Sequence, residues 1–268
     1  MDEVLFRLPH GSWVLDLGSG RGSFNPRDYR LRAVRADLGS PAPGPDAWAV
    51  RADARQLPFR NHSFEAVVCN HSLEHFQELE PALREISRVL KRPGVFYASI
   101  PDSSTLTDRL YRLLGGGGGH VQRFRSPQQL IDLVRRVTGL PCAARRTLFS
   151  SFSYLHPASR GRALRMLLLF WLRESVLSWI VGLLRLADRR FGTRLTVYGW
   201  AYYFGQLPQP IDTKPRTNMC VRCGAGHSSD WLLKIGRVRP HPPFPRFRCP
   251  VCSTWNLFTE DESFASRE

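Results

Sequence analysis

The first hundred residues alternate short apolar runs with loops rich in glycine, proline and charged residues. Short, apolar, β-branched runs are typical of buried parallel strands. We predict strands that end at Leu17 and that cover 31–36, 47–52, 66–69 and 95–100. Residues 81–91 place Leu83, Ile86, Val89 and Leu90 at helical spacing, so a helix precedes the last of these strands. The pattern predicts an α/β fold.

The pattern changes in the second hundred residues. Helices are predicted over 105–114 and from the N-cap Ser126 to Val137, and strands over 148–155 and 194–204. Five consecutive glycines, 115–119, separate the two helices and predict a flexible hinge.

Residues 163–186, within an insertion over about 158–192, are intensely apolar. A membrane-spanning helix needs ~20 apolar residues, and the central Arg173-Glu174 pair argues against spanning. Glu174, Ser178, Arg185 and Asp188 fall on one narrow polar stripe at helical spacing. Two interpretations remain open: a helix in a membrane interface, or a helix packed on its own sheet or on a second subunit.

The chain is strongly basic, with 38 Lys and Arg against 23 Asp and Glu and a net charge of +15. This excess favours anionic partners, such as nucleic acid, acidic lipid headgroups or a phosphorylated substrate. The first ten residues lack a signal-peptide pattern, so we expect a cytoplasmic protein that can also contact the membrane peripherally.

Four of the six cysteines form two CxxC pairs, Cys220 with Cys223 and Cys249 with Cys252. Two such pairs can fill the four corners of a structural zinc site, and the segment resembles a zinc ribbon. Cys69 and Cys142 are expected to be buried packing residues. The predicted organisation is a domain over 1–206, a linker over 207–217, the ribbon over 218–258 and a polar tail over 259–268.

The most informative motif is Asp16-Leu17-Gly18-Ser19-Gly20-Arg21-Gly22, directly after the first strand. It has no Gly-Lys-Ser/Thr ending, which excludes a nucleotide-triphosphate loop, and its GxGxG spacing fits a dinucleotide fingerprint poorly. It resembles the (D/E)xGxGxG motif of class I S-adenosylmethionine-dependent methyltransferases. The resemblance implies that Asp16, Gly18, Ser19, Gly20 and Gly22 shape the cofactor pocket.

Further motifs extend this resemblance to the type 11 subgroup. They are Ala52 to Phe59 with Ser63 to Cys69, Leu73-Glu74-His75, and Glu85 to Gly94. The family then implies that Asp37 holds the ribose, that Asp53 accepts the adenine amino group, and that Ala54 and Asn70 complete the cofactor site. It also implies a Rossmann-like, seven-stranded methyltransferase sheet, with the apolar insertion before the last strand and the four-cysteine ribbon at the C-terminus.

The expected reaction is methyl transfer from S-adenosylmethionine, with His71, His75 and His120 as candidates for proton transfer. The apolar insertion favours a small, lipid-like acceptor. An RNA methyltransferase is the first alternative, supported by the charge and the ribbon, although no Asn/Asp-Pro-Pro-Tyr/Phe motif follows the fourth strand. A non-catalytic scaffold that binds a protein partner is the second. The sequence leaves the acceptor and the oligomeric state open.

Overall fold

The computed structural model describes residues 1–114, 119–156, 174–207, 209–214 and 216–260. The chain divides into two compact units. One unit contains 1–102, 119–146 and 200–213, and the other contains 103–118, 147–199 and 214–268. The predicted domain boundaries remain predictions. Most of the predicted glycine hinge and residues 158–173 of the predicted insertion lie outside the described residues.

A seven-stranded sheet with the order β3-β2-β1-β4-β5-β7-β6 organises the fold. Its strands are β1 (Trp13–Leu17), β2 (Arg32–Asp37), β3 (Ala47–Arg51), β4 (Phe64–Asn70), β5 (Leu90–Pro101), β6 (Cys142–Phe149) and β7 (Val197–Gly205). β1 pairs in parallel with β2 and with β4, and so do β2 with β3 and β4 with β5. This is the predicted Rossmann-like methyltransferase sheet.

The helices of the described residues range from 4 to 18 residues. They are α1 (Asp2–Leu5), α2 (Leu79–Val89), α3 (Leu106–Leu114), α4 (Pro127–Thr138), α5 (Glu174–Phe191) and α6 (Ser229–Lys234). Single 3-10 turns cover Pro26–Tyr29, Leu73–His75 and Ser153–Leu155. α4 begins as predicted: Ser126 and Gln129 form a capping box, and Pro127 occupies the first turn.

The small strands of the C-terminal region form two further sheets. β8 (Asn218–Met219) pairs with β9 (Gly226–His227), and β11 (Arg246–Arg248) lies between β10 (Val238–Arg239) and β12 (Trp255–Leu257). Phe247 and Leu232 are fully buried here, together with Cys220 and Cys249. α5 packs closely on this region, because a Cβ on Gly182 would lie 2.3 Å from Leu257 Cδ1.

The prediction for the sixth strand was wrong in its position. The sequence predicted residues 148–155, whereas the strand runs from Cys142 to Phe149 and a 3-10 turn follows at Ser153–Leu155. Two arginines in the strand and its largely half-exposed residues hid the strand pattern. A continuous apolar run is typical of strands that are buried on both faces, and β6 is not one of these.

Three of the four residues in the polar stripe of the apolar insertion face inward, which the sequence did not predict, and Glu174 is half-exposed. Ser178, Arg185 and Asp188 on α5 are all buried. Arg185 donates to the carbonyl of Met219 (3.0 Å), and burial lowers its pKa to about 10. Asp188 accepts from the amides of Leu195 and Thr196, both at 2.7 Å. These contacts tie α5 to its own unit.

The opposite face of α5 is apolar and exposed. Val176, Ile180 and Leu183, spaced four and three residues apart, are 42%, 43% and 48% exposed. We call these three side chains the outer stripe. Among the described helices, none is long and apolar enough to cross a membrane.

Candidate functional site

The glycine loop after β1 needs glycine at two positions. Gly18 has φ +68°, and a Cβ there would lie 2.4 Å from Ser72 Cβ. Ser72 is held in place, because its hydroxyl donates to the carbonyl of Leu17 (2.9 Å). Gly22 has φ +101°, and a Cβ there would collide with the guanidinium of Arg35. Any side chain at these two positions would displace the loop from the strands beneath it.

Two predicted acids hold this loop together. Asp16 is buried and accepts from the amide (2.8 Å) and hydroxyl (2.7 Å) of Ser23. Burial raises the pKa of Asp16 despite these hydrogen bonds. Asp37 accepts from the amides of Gly20 and Gly39, both at 2.9 Å. The carboxylate of β2 therefore holds the middle of the loop, and the carboxylate of β1 holds the residue that follows it.

A cavity of about 380 Å³ opens beside the loop, at the carboxyl ends of the strands. The predicted site residues that line it are Gly18, Asp37, Asp53, Ala54 and His75. Lining residues that the sequence did not single out include Leu38, Arg55, Phe76, Gln77 and Glu78. Asp16, Ser19, Gly20, Gly22 and Asn70 do not line it. The assigned role of each residue remains a prediction.

Asp53 is engaged by a neighbour that sequence reasoning missed. The guanidinium of Arg55 contacts both carboxylate oxygens of Asp53, with its Nη2 2.8 Å from Oδ2. Hydrogen bonds from Arg55 lower the pKa of Asp53. Arg55 also binds the carboxylate of Glu78, so it bridges two walls of the cavity. The sequence contained a signal for this pair, because an arginine two residues after an aspartate can reach back to its carboxylate.

Asn70 ends β4 and lies away from the cavity lining. Its Oδ1 accepts from the hydroxyl of Ser99 (2.8 Å), and Ser99 is fully buried in β5. This contact fixes the end of β4, from which the histidine-bearing segment departs. Asn70 therefore supports the floor of the site in this structure.

The three candidate histidines lie near one another around Glu74. His71 Nδ1 is 3.8 Å from Glu74 Oε1, and the rings of His75 and His120 meet edge to face with centroids 4.8 Å apart. Burial, with the charges of His120 and His75, lowers the pKa of His71 to about 4. His71 is therefore neutral at pH 7, and so low a pKa makes it only a weak proton acceptor.

The four cysteines of the C-terminal region converge as predicted. Cys220 Sγ is 3.5 Å from Cys252 Sγ, and Cys223 Sγ is 3.7 Å from Cys249 Sγ. These separations exceed a disulfide bond of ~2.05 Å. The two CxxC turns share one hydrogen-bond pattern, because Gly224 N donates to Cys220 O and Ser253 N to Cys249 O, both at 2.9 Å. His227 Nε2 lies 3.6 Å from Cys249 Sγ, a neighbour the sequence did not predict.

Comparison with known sequences agrees with this geometry. Residues 15–98 match the family model described as a methyltransferase domain. An uncharacterized methyltransferase, YcgJ of Bacillus subtilis, is 32% identical over 82 residues, 29% of this chain and 28% of that protein. The human mitochondrial arginine-hydroxylase NDUFAF5 is 29% identical over 142 residues, 46% of this chain and 40% of that protein. The chain thus spans less than half the length of these curated relatives.

Solved structures share the fold. A methyltransferase from an antibiotic biosynthesis pathway of Anabaena variabilis aligns with a TM-score of 0.50 at 19% identity, over 76% of this chain and 94% of that one. A Haloferax volcanii methyltransferase, solved with the Trm112 methyltransferase activator, aligns with a TM-score of 0.52 at 19% identity, over 79% and 89% of the two chains.

Proposed function

We propose that this chain uses its class I S-adenosylmethionine-dependent methyltransferase domain to methylate a small, lipid-like acceptor. The observation that carries the proposal is the cavity beside the glycine loop. Gly18, Asp37, Asp53 and Ala54, four residues that the family motifs assign to the cofactor, line it together. Residues 15–98, which match the methyltransferase model, contain all four.

The residues present fit S-adenosylmethionine. Asp37 and Asp53 present carboxylates to the cavity, and such groups suit ribose hydroxyls, an adenine amino group and a nearby cation. Gly18 opens the space that a Cβ would fill against Ser72. Phe76 and Leu38 supply apolar surface for a purine ring. When bound, the cofactor supplies a methyl group that is already activated by its sulfonium.

The chain then has to align the acceptor and, for a hydroxyl acceptor, to take its proton. His71, His75 and His120 lie just beyond the carboxyl end of β4 or packed beside it, and His75 also lines the cavity. We assign proton handling to this group of histidines.

The lipid-like acceptor is inferred from α5. Ser178, Arg185 and Asp188 of α5 are buried, whereas the aliphatic side chains of the outer stripe are exposed. Arg189 and Arg190 lie in the last turn of the same helix, and Arg194 follows. Apolar side chains flanked by arginines suit contact with an anionic membrane surface. We propose peripheral membrane contact through the described part of 163–186, which would deliver an apolar acceptor.

For the four-cysteine cluster we propose a structural zinc ion. Sulfurs bound to one tetrahedral Zn²⁺ lie ~3.8 Å apart, close to the 3.5 and 3.7 Å separations here. Thiolates fill all four corners, which leaves no position for a substrate. Asn256 Nδ2 lies 3.5 Å from Cys220 Sγ and donates to it, as groups around structural zinc sites commonly do.

The acceptor class can be tested by transfer of labelled methyl from S-adenosylmethionine into cell lysate, with Asp37→Ala as the blank. The lysate is then separated into lipid, nucleic acid, protein and aqueous fractions. We expect label in the lipid fraction. Label in RNA would overturn the lipid-like acceptor and support an RNA methyltransferase. No label above the blank in any fraction would contradict methyl transfer itself.

A further inference from the structure

A second group of metal-ligating side chains lies apart from the cysteines. Glu74, His75 and His120 each place one ligand atom within 4.8 Å of the others. Glu74 is 1% exposed, whereas His75 is exposed and His120 half-buried. We call these three residues the histidine-glutamate cluster. His120 lies 45 residues after His75 along the chain, so the fold brings it to the adjacent pair Glu74 and His75.

We propose that the histidine-glutamate cluster binds a divalent first-row transition-metal ion. Two imidazoles and one carboxylate form a donor set that suits such ions. The four thiolates of the ribbon favour softer ions in tetrahedral coordination. Ligand atoms around one such ion lie ~3–4 Å apart, so small side-chain rotations close the cluster around it.

Backbone hydrogen bonds hold His120 next to Glu74 and His75. The carbonyl oxygen of Glu74 accepts from the amides of Val121 and Gln122, both at 2.9 Å. The Gln122 side chain also donates to the carbonyl of Phe76 (3.0 Å). These bonds fasten the segment that carries His120 to the 3-10 turn that carries Glu74 and His75. The cluster is therefore preorganised before any ion binds.

A carbonyl fixes the tautomer of one imidazole. His75 Nδ1 lies 3.3 Å from the carbonyl oxygen of Gly119, which can only accept a hydrogen bond. Nδ1 therefore carries the proton, and in the neutral ring Nε2 keeps its lone pair for an ion. Metal-ligating histidines commonly donate their second nitrogen to such a carbonyl.

The role of this ion rests on the proposed function, although its binding does not. His75 belongs both to the cluster and to the wall of the cavity, so an ion held here would adjoin the acceptor. A bound cation lowers the pKa of a coordinated hydroxyl and makes it a better nucleophile. The ion would thus select acceptors that present an oxygen.

The test uses the full chain with the ribbon first loaded with one equivalent of Zn²⁺. Co²⁺ is then titrated without cofactor or acceptor, and visible absorption and heat are recorded. We expect one further equivalent to bind, with d–d bands and no thiolate charge-transfer band. His75→Asn and His120→Asn, at side chains that are not fully buried, should each weaken binding by roughly 100-fold. His10→Asn, at an exposed histidine away from the cluster, should leave it unchanged.

Two results would overturn the proposal: no second equivalent of Co²⁺, or equal affinity in the wild type and both cluster variants. Its failure can be distinguished from failure of the proposed function. Methyl transfer without Co²⁺ binding would remove only the metal site. Co²⁺ binding that depends on the cluster, without methyl transfer to any fraction, would support the site and contradict the methyltransferase activity.

Discussion

Asp37 accepts a hydrogen bond from the amide of Gly20, with 2.9 Å between Oδ2 and N. The bond joins the carboxyl end of β2 to the glycine loop after β1. The same carboxylate lines the cavity, so one residue shapes the loop and faces the proposed ribose site. A substitution here is expected to affect cofactor binding more than the stability of the sheet, since Asp37 lies beyond the buried core.

Gly18→Ala tests whether the loop must approach Ser72 closely. The new Cβ would meet Ser72 Cβ at 2.4 Å at a φ of +68°. We expect a loss of about 2–4 kcal/mol in the free energy of unfolding, from overpacking and left-handed strain together. Gly11→Ala is the matched control, because φ is +79° and no atom lies within 4 Å. Gly11→Ala should lower the free energy of unfolding by about 1 kcal/mol. Urea titration measures both variants. Equal costs would contradict the close approach.

Substitutions at equivalent positions of the two CxxC turns should change the stability of the ribbon in opposite directions. Gly224 (φ +76°) and Ser253 (φ +63°) occupy equivalent positions, each donating to the first cysteine of its turn. Ser253→Gly should relieve left-handed strain and stabilise the ribbon by about 1 kcal/mol, and Gly224→Ala should destabilise it by a similar amount. Zinc release on heating, followed with a chromogenic chelator, measures both. Earlier release from Ser253→Gly would contradict the equivalence.

Glu85 and Arg88 predict how stability depends on pH. Arg88 Nε and Nη2 each lie 2.7 Å from a Glu85 oxygen, and both side chains also bind the backbone of Leu57. The hydrogen bond from Arg88 lowers the pKa of Glu85 in the folded chain. The Glu85 carboxylate therefore stabilises the fold fully at pH values above its unfolded pKa of ~4.3. This stabilisation is lost as the pH falls through its lower pKa in the folded chain.

Glu85→Gln should accordingly be less stable by about 1 kcal/mol at pH 7, with the difference shrinking below pH ~4. Urea unfolding at a series of pH values measures it. Glu80→Gln serves as the control, because Glu80 forms ion pairs only on the exposed surface. A difference that stayed constant down to low pH would contradict the assigned linkage.

Ile180→Ser tests the outer stripe of α5. Ile180 is 43% exposed and thus partly buried, so we expect the free energy of unfolding to fall by about 1 kcal/mol while binding to anionic vesicles falls roughly tenfold. Flotation with phosphatidylglycerol vesicles measures binding, and phosphatidylcholine vesicles give the uncharged reference. Leu233→Ser, at an apolar side chain 53% exposed on α6, is the control. Unchanged flotation of Ile180→Ser would contradict membrane contact through this stripe.

The sequence predicted β1, β2, β4 and β5 because buried parallel strands are continuous apolar runs, as Ala66 to Cys69 illustrates. It also predicted β3, whose run is apolar although the strand is largely exposed. It misplaced β6, where arginines interrupt a strand that is only partly buried. It identified the polar stripe of α5 but not its direction, because Arg185 and Asp188 face inward only through contacts with Met219 and Thr196. Such contacts depend on tertiary structure, which periodicity does not encode.

The site was predicted to a similar extent. The family resemblance assigned Gly18, Asp37, Asp53 and Ala54 to one cofactor site, and these residues line one cavity because the carboxyl ends of parallel strands meet at one edge. Their individual roles stay predictions. The pairing of Asp53 with Arg55 depends on side-chain rotamers, and the packing of His120 on His75 depends on tertiary contact between residues 45 apart in the sequence. Neither relation has a periodic signature.

The most direct test of the account is calorimetric titration of the full chain with S-adenosylmethionine. We predict saturable, one-to-one binding that Asp37→Ala weakens by at least roughly tenfold, the equivalent of one charge-assisted hydrogen bond. Asp28→Ala, at an exposed acid that accepts from Asn25, should bind as the wild type does. Absence of binding to the wild type, or equal affinity in Asp37→Ala, would contradict the assignment of this cavity to the cofactor.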